Sequence, residues 1–244
     1  MNPRHVGRRL FAVVALAGLV VAAAVTDSPV AGAATDANRS YVSALYGDLL
    51  ERTNTSANTA GVEFWANRLE THPRLQVARS IQYATNEYFG KLVDISYAIY
   101  LDRSADPKGR NFLVRGWMAR RFTYERLIAT LVGSTEYYRL AGRTNVGFVD
   151  KAFADILGRE PAASVENFFV GVAARRGRAT VAVLLATSHE AETALVRAQY
   201  ESFLGRRVDA PSLRFWVDKL SHGFRREDFD VTLLSSNEYY AKNS

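Results

Sequence analysis

The residues that could do chemistry in this chain are few. It has four His and no Cys, which removes disulfides, thiolate nucleophiles, iron–sulfur clusters and Cys-ligated zinc together. His189 stands between Ser188 and Glu190, types that suggest a nucleophile, its base and an orienting acid. Neighbours on a helix point in different directions, however, and cannot share a proton. His72 and His222 fall in expected turns, and no His-x-x-x-His pair supplies zinc-ligand spacing. Asp102, Asp106 and Gly109 suggest a calcium loop, but Arg103, Lys108 and Arg110 stand where further oxygens belong. Turn chemistry accounts for that segment instead. The expectation is no catalytic residue, no cofactor and no metal.

More informative are residues that recur. Arg52, Arg103, Arg159 and Arg206 each end the same string, in which Val, an aromatic, an apolar residue and Leu come first. The strings are Val42, Tyr46, Leu49, Leu50; Val93, Tyr97, Tyr100, Leu101; Val149, Phe153, Ile156, Leu157; and Val196, Tyr200, Phe203, Leu204. Positions i, i+4, i+7 and i+8 lie on one helical face, so each string predicts an amphipathic helix with Arg in its last turn. After each Arg comes a bulky pair, Phe64-Trp65, Phe112-Leu113, Phe168-Phe169 or Phe215-Trp216, opening a second helix. Trp117 lies further along one of these helices. A third helix follows, and then a capping string holding Glu87, Glu136, Glu190 or Glu238. From Phe to Glu the spacing is 23, 24, 22 and 23 residues, too regular for chance.

Such self-similarity predicts an all-α chain, an array of about four repeats of roughly 50 residues that stack on their neighbours. The copies span 41–91, 92–145, 146–194 and 195–244, after a linker at 34–40. Each Arg is expected to cap a helix end or to pair with the Glu of its capping string. Trp65, Trp117, Trp216 and the Phe pairs are expected in the core. Trp216→Ala is then expected to cost about 3–5 kcal/mol. Tyr138 and Tyr240 are the expected partner-facing aromatics.

Residues 1–33 read differently. Arg4, Arg8 and Arg9 precede an apolar run, Leu10 to Val25, and Ala31-Gly32-Ala33 offers a signal-peptidase site. The run is 16 residues, short of the roughly 20 that span a bilayer, so a cleaved secretory signal is expected, with an uncleaved anchor as the alternative. Arg8-Arg9 is also part of a twin-arginine pattern.

The string Phe203-Leu204-Gly205-Arg206, Asp209, Phe215-Trp216, Gly223 and Ser236-Asn237-Glu238-Tyr239-Tyr240 resembles the bacterial domain-of-unknown-function family four-two-one-four. The third copy keeps Leu157-Gly158-Arg159, the second has Leu101-Asp102-Arg103, and the first diverges at Glu51-Arg52. The likeness covers about residues 41–241. A looser likeness exists to the linker domain of phycobilisomes. These resemblances imply a helical scaffold found in tandem in exported and surface-layer-associated proteins, with no catalytic residues to carry over.

Composition agrees with an ordinary folded chain: 48% hydrophobic and 23% charged, which excludes low-complexity and disordered classes. Net charge is +6, and without the first 33 residues, which carry three Arg and one Asp, it is +4. Arg120-Arg121, Arg175-Arg176 and Arg225-Arg226 are short doublets suited to helix ends, not the concentrated face that binds nucleic acid. The expected function is an exported, non-enzymatic module that binds an envelope protein or glycan, with no nucleic acid and no membrane span after the signal. Two alternatives stand beside it. One is an enzyme acting on envelope carbohydrate or peptidoglycan, and the other a calcium- or small-ligand-binding envelope protein.

Overall fold

Hydroxyl and carboxylate residues start the helices of this protein. Thr35, Asp106, Thr123, Ser134, Thr144, Asp209 and Ser236 each accept the backbone N–H three residues on, which satisfies one of the orphan donors of a helix N-terminus. The computed structural model describes residues 34–52 and 58–244, so the expected signal segment 1–33 lies outside the described residues. The protein is all-α. The helices are α1 (Asp36–Leu50), α2 (Thr59–Arg68), α3 (Arg74–Ala84), α4 (Glu87–Leu101), α5 (Pro107–Met118), α6 (Tyr124–Val132) and α7 (Thr135–Leu140). They continue with α8 (Asn145–Leu157), α9 (Ala163–Arg176), α10 (Arg178–Ala186), α11 (His189–Gln199), α12 (Ala210–Ser221), α13 (Arg226–Leu234) and α14 (Asn237–Asn243). A π-helical segment, Tyr200–Leu204, extends α11. Among the described residues no helix is long and apolar enough to cross a membrane.

The recurring Arg is not in the last helical turn, as the periodicity predicts. Helices end at Leu50, Leu101, Leu157 and Leu204, and the next residue turns left-handed: Glu51 at φ 55°, Asp102 at 51°, Gly158 at 71° and Gly205 at 69°. That reversal stops the helix and throws the following Arg outward. The capping string is not a separate turn everywhere either. In α4 and α11 it opens directly into the next copy's first helix. Before α8 it is a short helix of its own, α7, because Gly142 and Arg143, both at positive φ, end it and Thr144 caps anew, and α14 is another.

Two compact units are present. The first comprises Phe89–Ala198 and Arg207–Arg226. In it α6 lies along α10, and a Cβ on Gly133 would stand 3.0 Å from the Ala179 Cα, so the end of α6 meets α10 at a distance only glycine permits. Trp117, Tyr137, Phe148 and Phe153 are buried in its core. The second unit comprises residues 34–88, Gln199–Arg206 and Glu227–Ser244. Here α1 packs on α2, α3 and α14. Tyr41 donates its hydroxyl proton to the Leu234 carbonyl at 3.0 Å, across 193 residues of chain. Gln82 donates to the Glu227 carbonyl at 3.0 Å.

Stacking of chain neighbours alone does not predict that second unit, which joins the first copy to the last. Yet its central contact is one the first unit also makes. Tyr137 packs edge-on against Phe148 at 5.9 Å and donates to Asp155 Oδ2 at 2.9 Å. Tyr239 packs edge-on against Tyr41 at 5.9 Å and donates to Asp48 Oδ2 at 2.6 Å. The residues correspond one to one in the repeated pattern. Tyr239 therefore meets α1 by the same two contacts, ring on ring and hydroxyl on carboxylate, by which Tyr137 meets α8.

Candidate functional site

Each left-handed turn presents its Arg to a carboxylate and a ring. Arg103 donates through Nε and Nη2 to Glu136 at 2.6 and 2.8 Å. Arg159 does the same to Glu190 at 2.6 and 2.6 Å. Arg52 reaches both oxygens of Glu87, one at 2.8 Å, and Arg206 both oxygens of Glu238, one at 2.8 Å. Each guanidinium also lies over the aromatic ring six residues before it, 5.0–5.3 Å from the centroid: Tyr46, Tyr97, Phe153 and Tyr200. The two-pronged bond to Arg holds the Glu136 and Glu190 carboxyls below their ordinary pKa. With carboxylate on one edge and ring on one face, these Arg residues are clasps between helix ends rather than an anion-binding row.

The histidines and aspartates singled out for chemistry do other work. Ser188 Oγ donates to the Leu185 carbonyl at 2.7 Å and accepts from the Ala191 N–H at 3.2 Å, so it caps α11. His189 Nδ1 stands 3.4 Å from Thr193 Oγ1 instead. His72 meets Thr71, and His222 meets the Asp218 carbonyl. Asp106 caps α5 through the Gly109 N–H at 2.8 Å, Asp102 is the left-handed turn residue, and Asp209 caps α12. Among the described residues no three His, Asp or Glu side chains gather as a metal site would need.

The aromatic pairs correct the expectation of a common core position. Their first members are the exposed ones: Phe64 at 50%, Phe112 at 64%, Phe168 at 59% and Phe215 at 53%. The apolar stripe of α5 runs through Leu113, Val114 and Trp117, and one residue earlier lies about 100° away around a helix. Phe64, Phe168 and Phe215 rest edge-on against the following aromatic, at 4.9, 5.2 and 5.0 Å. Trp117 is buried, whereas Trp65 and Trp216 are half-buried. Tyr138 and Tyr240, expected to face a partner, lie under Arg178 at 4.2 Å and Arg74 at 4.6 Å. Tyr240 also donates to Asn38 at 2.9 Å.

Beside Phe112 the surface is concave. A groove of about 650 Å³ is lined by Lys108, Phe112, Arg115, Gly116, Arg121 and Phe122, within the usual range of roughly 300–1,000 Å³ for ligand pockets. Phe112 and Phe122 stand 5.4 Å apart at 59°. A Cβ on Gly116 would come within 2.3 Å of the Phe122 ring, so glycine lets that ring approach α5 closely. Arg225 pins the loop by donating to the Phe122 carbonyl at 2.5 Å.

Elsewhere in the first unit Glu192 is 6% exposed, and its Oε2 has no hydrogen-bond partner. Burial foremost, then the charge of Glu125, pushes its pKa up to about 7, against the opposing pull of His222. Nothing in the local spacing of the sequence marks Glu192. Its neighbours come from α6 and from the turn after α12, and only folding gathers them.

Neither the curated proteins nor the solved structures compared with the chain include a match. Residues 191–243 match a family model described as a domain of unknown function (DUF4214). The matched span holds Arg206 and its clasp with Glu238, the Asp209 cap and the exposed Phe215. Over residues 191–243, therefore, the chain is similar to this family.

Proposed function

We propose that this is an exported, non-enzymatic helical repeat protein that binds a protein or glycan of the cell envelope. One observation carries the reading: four Phe side chains at the same place in four copies are each at least half exposed. An exposed large aromatic loses apolar burial in the monomer, and aromatic residues are what binding surfaces concentrate. Among the described residues the recurring Arg and Glu hold helix ends together, and His72, His189 and His222 meet side chains or carbonyls of their own turns and helices. Export rests on the basic start, apolar run and small-residue site of residues 1–33.

The test is retention of the purified protein on isolated cell envelope, with and without a calcium chelator. Retention in both conditions is expected. Retention lost on chelation favours the calcium-dependent reading, and no retention overturns the interaction module. The enzyme reading has one observation behind it, since a buried Glu192 beside Glu125 is the kind of raised carboxyl that protonates a leaving group. Soluble fragments released from the envelope by the protein, and not by Glu192→Gln, would replace the binding reading with that one.

A further inference from the structure

The groove on α5 combines two features that a single class of ligand matches. Lys108, Arg115 and Arg121 line it, and none of the three makes an ion pair or side-chain hydrogen bond among the described residues, unlike the clasped Arg103 and Arg159 nearby in sequence. No carboxylate lines it with them. Its apolar part is aromatic: Phe112 and Phe122, tilted at 59°, make a shallow angled wall. Exposed cations beside an aromatic face suit a ligand that is anionic on its rim and flat and apolar on one side.

We propose that this groove binds an acidic polysaccharide, with a carboxylated sugar ring seated on Phe112 and Phe122. A pyranose ring presents C–H groups on one face, suited to lie on an aromatic ring, and hydroxyls and carboxylate around its edge. Arg115 and Arg121 offer the planar fork that a carboxylate accepts, Lys108 adds a compact charge, and Asn111, also in the lining, can bond the hydroxyls. An acidic peptide supplies carboxylates on flexible stems but no flat apolar face. A bilayer is a plane, whereas the groove is concave. Single-stranded nucleic acid also pairs aromatics with cations, but along a basic track of several nucleotides, and the groove holds three cations. Near two of the other exposed rings a cation also stands, Arg68 over Phe64 at 5.2 Å and Lys219 over Phe215 at 5.7 Å. This assignment rests on the envelope-binding reading and names the partner class for it.

The test is calorimetric titration of the full protein at low salt with an oligogalacturonate of about six sugars. A neutral cello-oligosaccharide, polyglutamate, oligothymidylate and phosphatidylglycerol vesicles serve as comparisons. Saturable binding to oligogalacturonate alone is expected, weakened about tenfold or more by Arg115→Ala with Arg121→Ala and by added salt. Phe112→Ala should weaken it several-fold. All three side chains are exposed, so unchanged circular dichroism and unfolding midpoint will show that the variants fold. Absence of oligogalacturonate binding, equal binding to any comparison, or indifference to Phe112→Ala overturns the assignment. If envelope retention survives while oligogalacturonate fails, the sugar is wrong and the binding module stands. If both fail, both readings fall.

Discussion

Asp102 shows how a single residue departs from its own pattern. Its φ of 51° matches the turns at Gly158 and Gly205, where glycine adopts the left-handed region without a Cβ penalty. Asp102→Gly should therefore raise stability by up to about 1 kcal/mol, while Gly158→Ala should lower it by about 1 kcal/mol, both read from denaturant midpoints. A loss in the first case would mean the Asp side chain contributes more than the strained backbone costs. The periodicity runs the helix on to the Arg in all four copies, although Gly158 and Gly205 of the Leu-Gly-Arg strings are the residues such a turn favours.

Glu192 makes a second prediction at this scale. Its folded pKa of about 7 lies above the unfolded carboxyl value. Its protonated form is therefore favoured in the fold, and its contribution is fully present below about pH 4.3 and is lost as pH rises to about 7. Glu192→Gln should flatten that decline and raise stability at pH 8 by about 1–3 kcal/mol. A wild-type stability that rises between pH 5 and 7 in step with the variant's would contradict the placement of Glu192. No sequence signal could have found it, because desolvation belongs to the packed state.

At the scale of elements the two Tyr–Asp contacts are the joints between helices. Tyr137→Phe and Tyr239→Phe each remove the hydroxyl donor to a buried or partly buried Asp, Asp155 and Asp48. Each should cost about 1–3 kcal/mol. Asp155 also accepts from Lys151 at 2.9 Å, so the Tyr137 variant should fall toward the lower end. A negligible effect at Tyr239 would separate the first copy from the last.

The tryptophans divide in the same way. Trp117→Ala should cost about 3–5 kcal/mol, but the half-buried Trp216 should cost about 1–2 kcal/mol, below the value its place in an apolar string suggests. Helix periodicity tells which stripe is apolar, and it placed Leu113 and Trp117 correctly. It does not tell how wide a stripe the neighbouring helices cover. Phe112 and its equivalents sit just past that edge, and so the outward rings were misplaced from sequence. The pairing of each Arg with its Glu was one of two readings open at that level. Their regular spacing joined them, but only the left-handed turn shows why the Arg misses its own helix carbonyls.

Across the whole molecule, helix content was legible because apolar period runs through the helices and hydroxyl or carboxylate caps open many of them. The union of α1 with α14 was not. That contact spans 191 residues between Tyr239 and Asp48, and its energy comes from docking rather than from local pattern. The repeated residues hint at it only once the equivalent joint between Tyr137 and Asp155 is in view. The remaining claim at this scale is that the four outward Phe rings serve binding and contribute little to the fold.

One measurement addresses that claim most directly. A protein carrying Phe64→Ala, Phe112→Ala, Phe168→Ala and Phe215→Ala together would be compared with wild type for unfolding free energy and for retention on isolated envelope. The account predicts a folded, cooperative variant with retention lost. Because the rings are half exposed, each substitution should forfeit about 1 kcal/mol or less. A variant that fails to fold would return these residues to the core, and a stable variant retained as strongly as wild type would place the binding surface elsewhere.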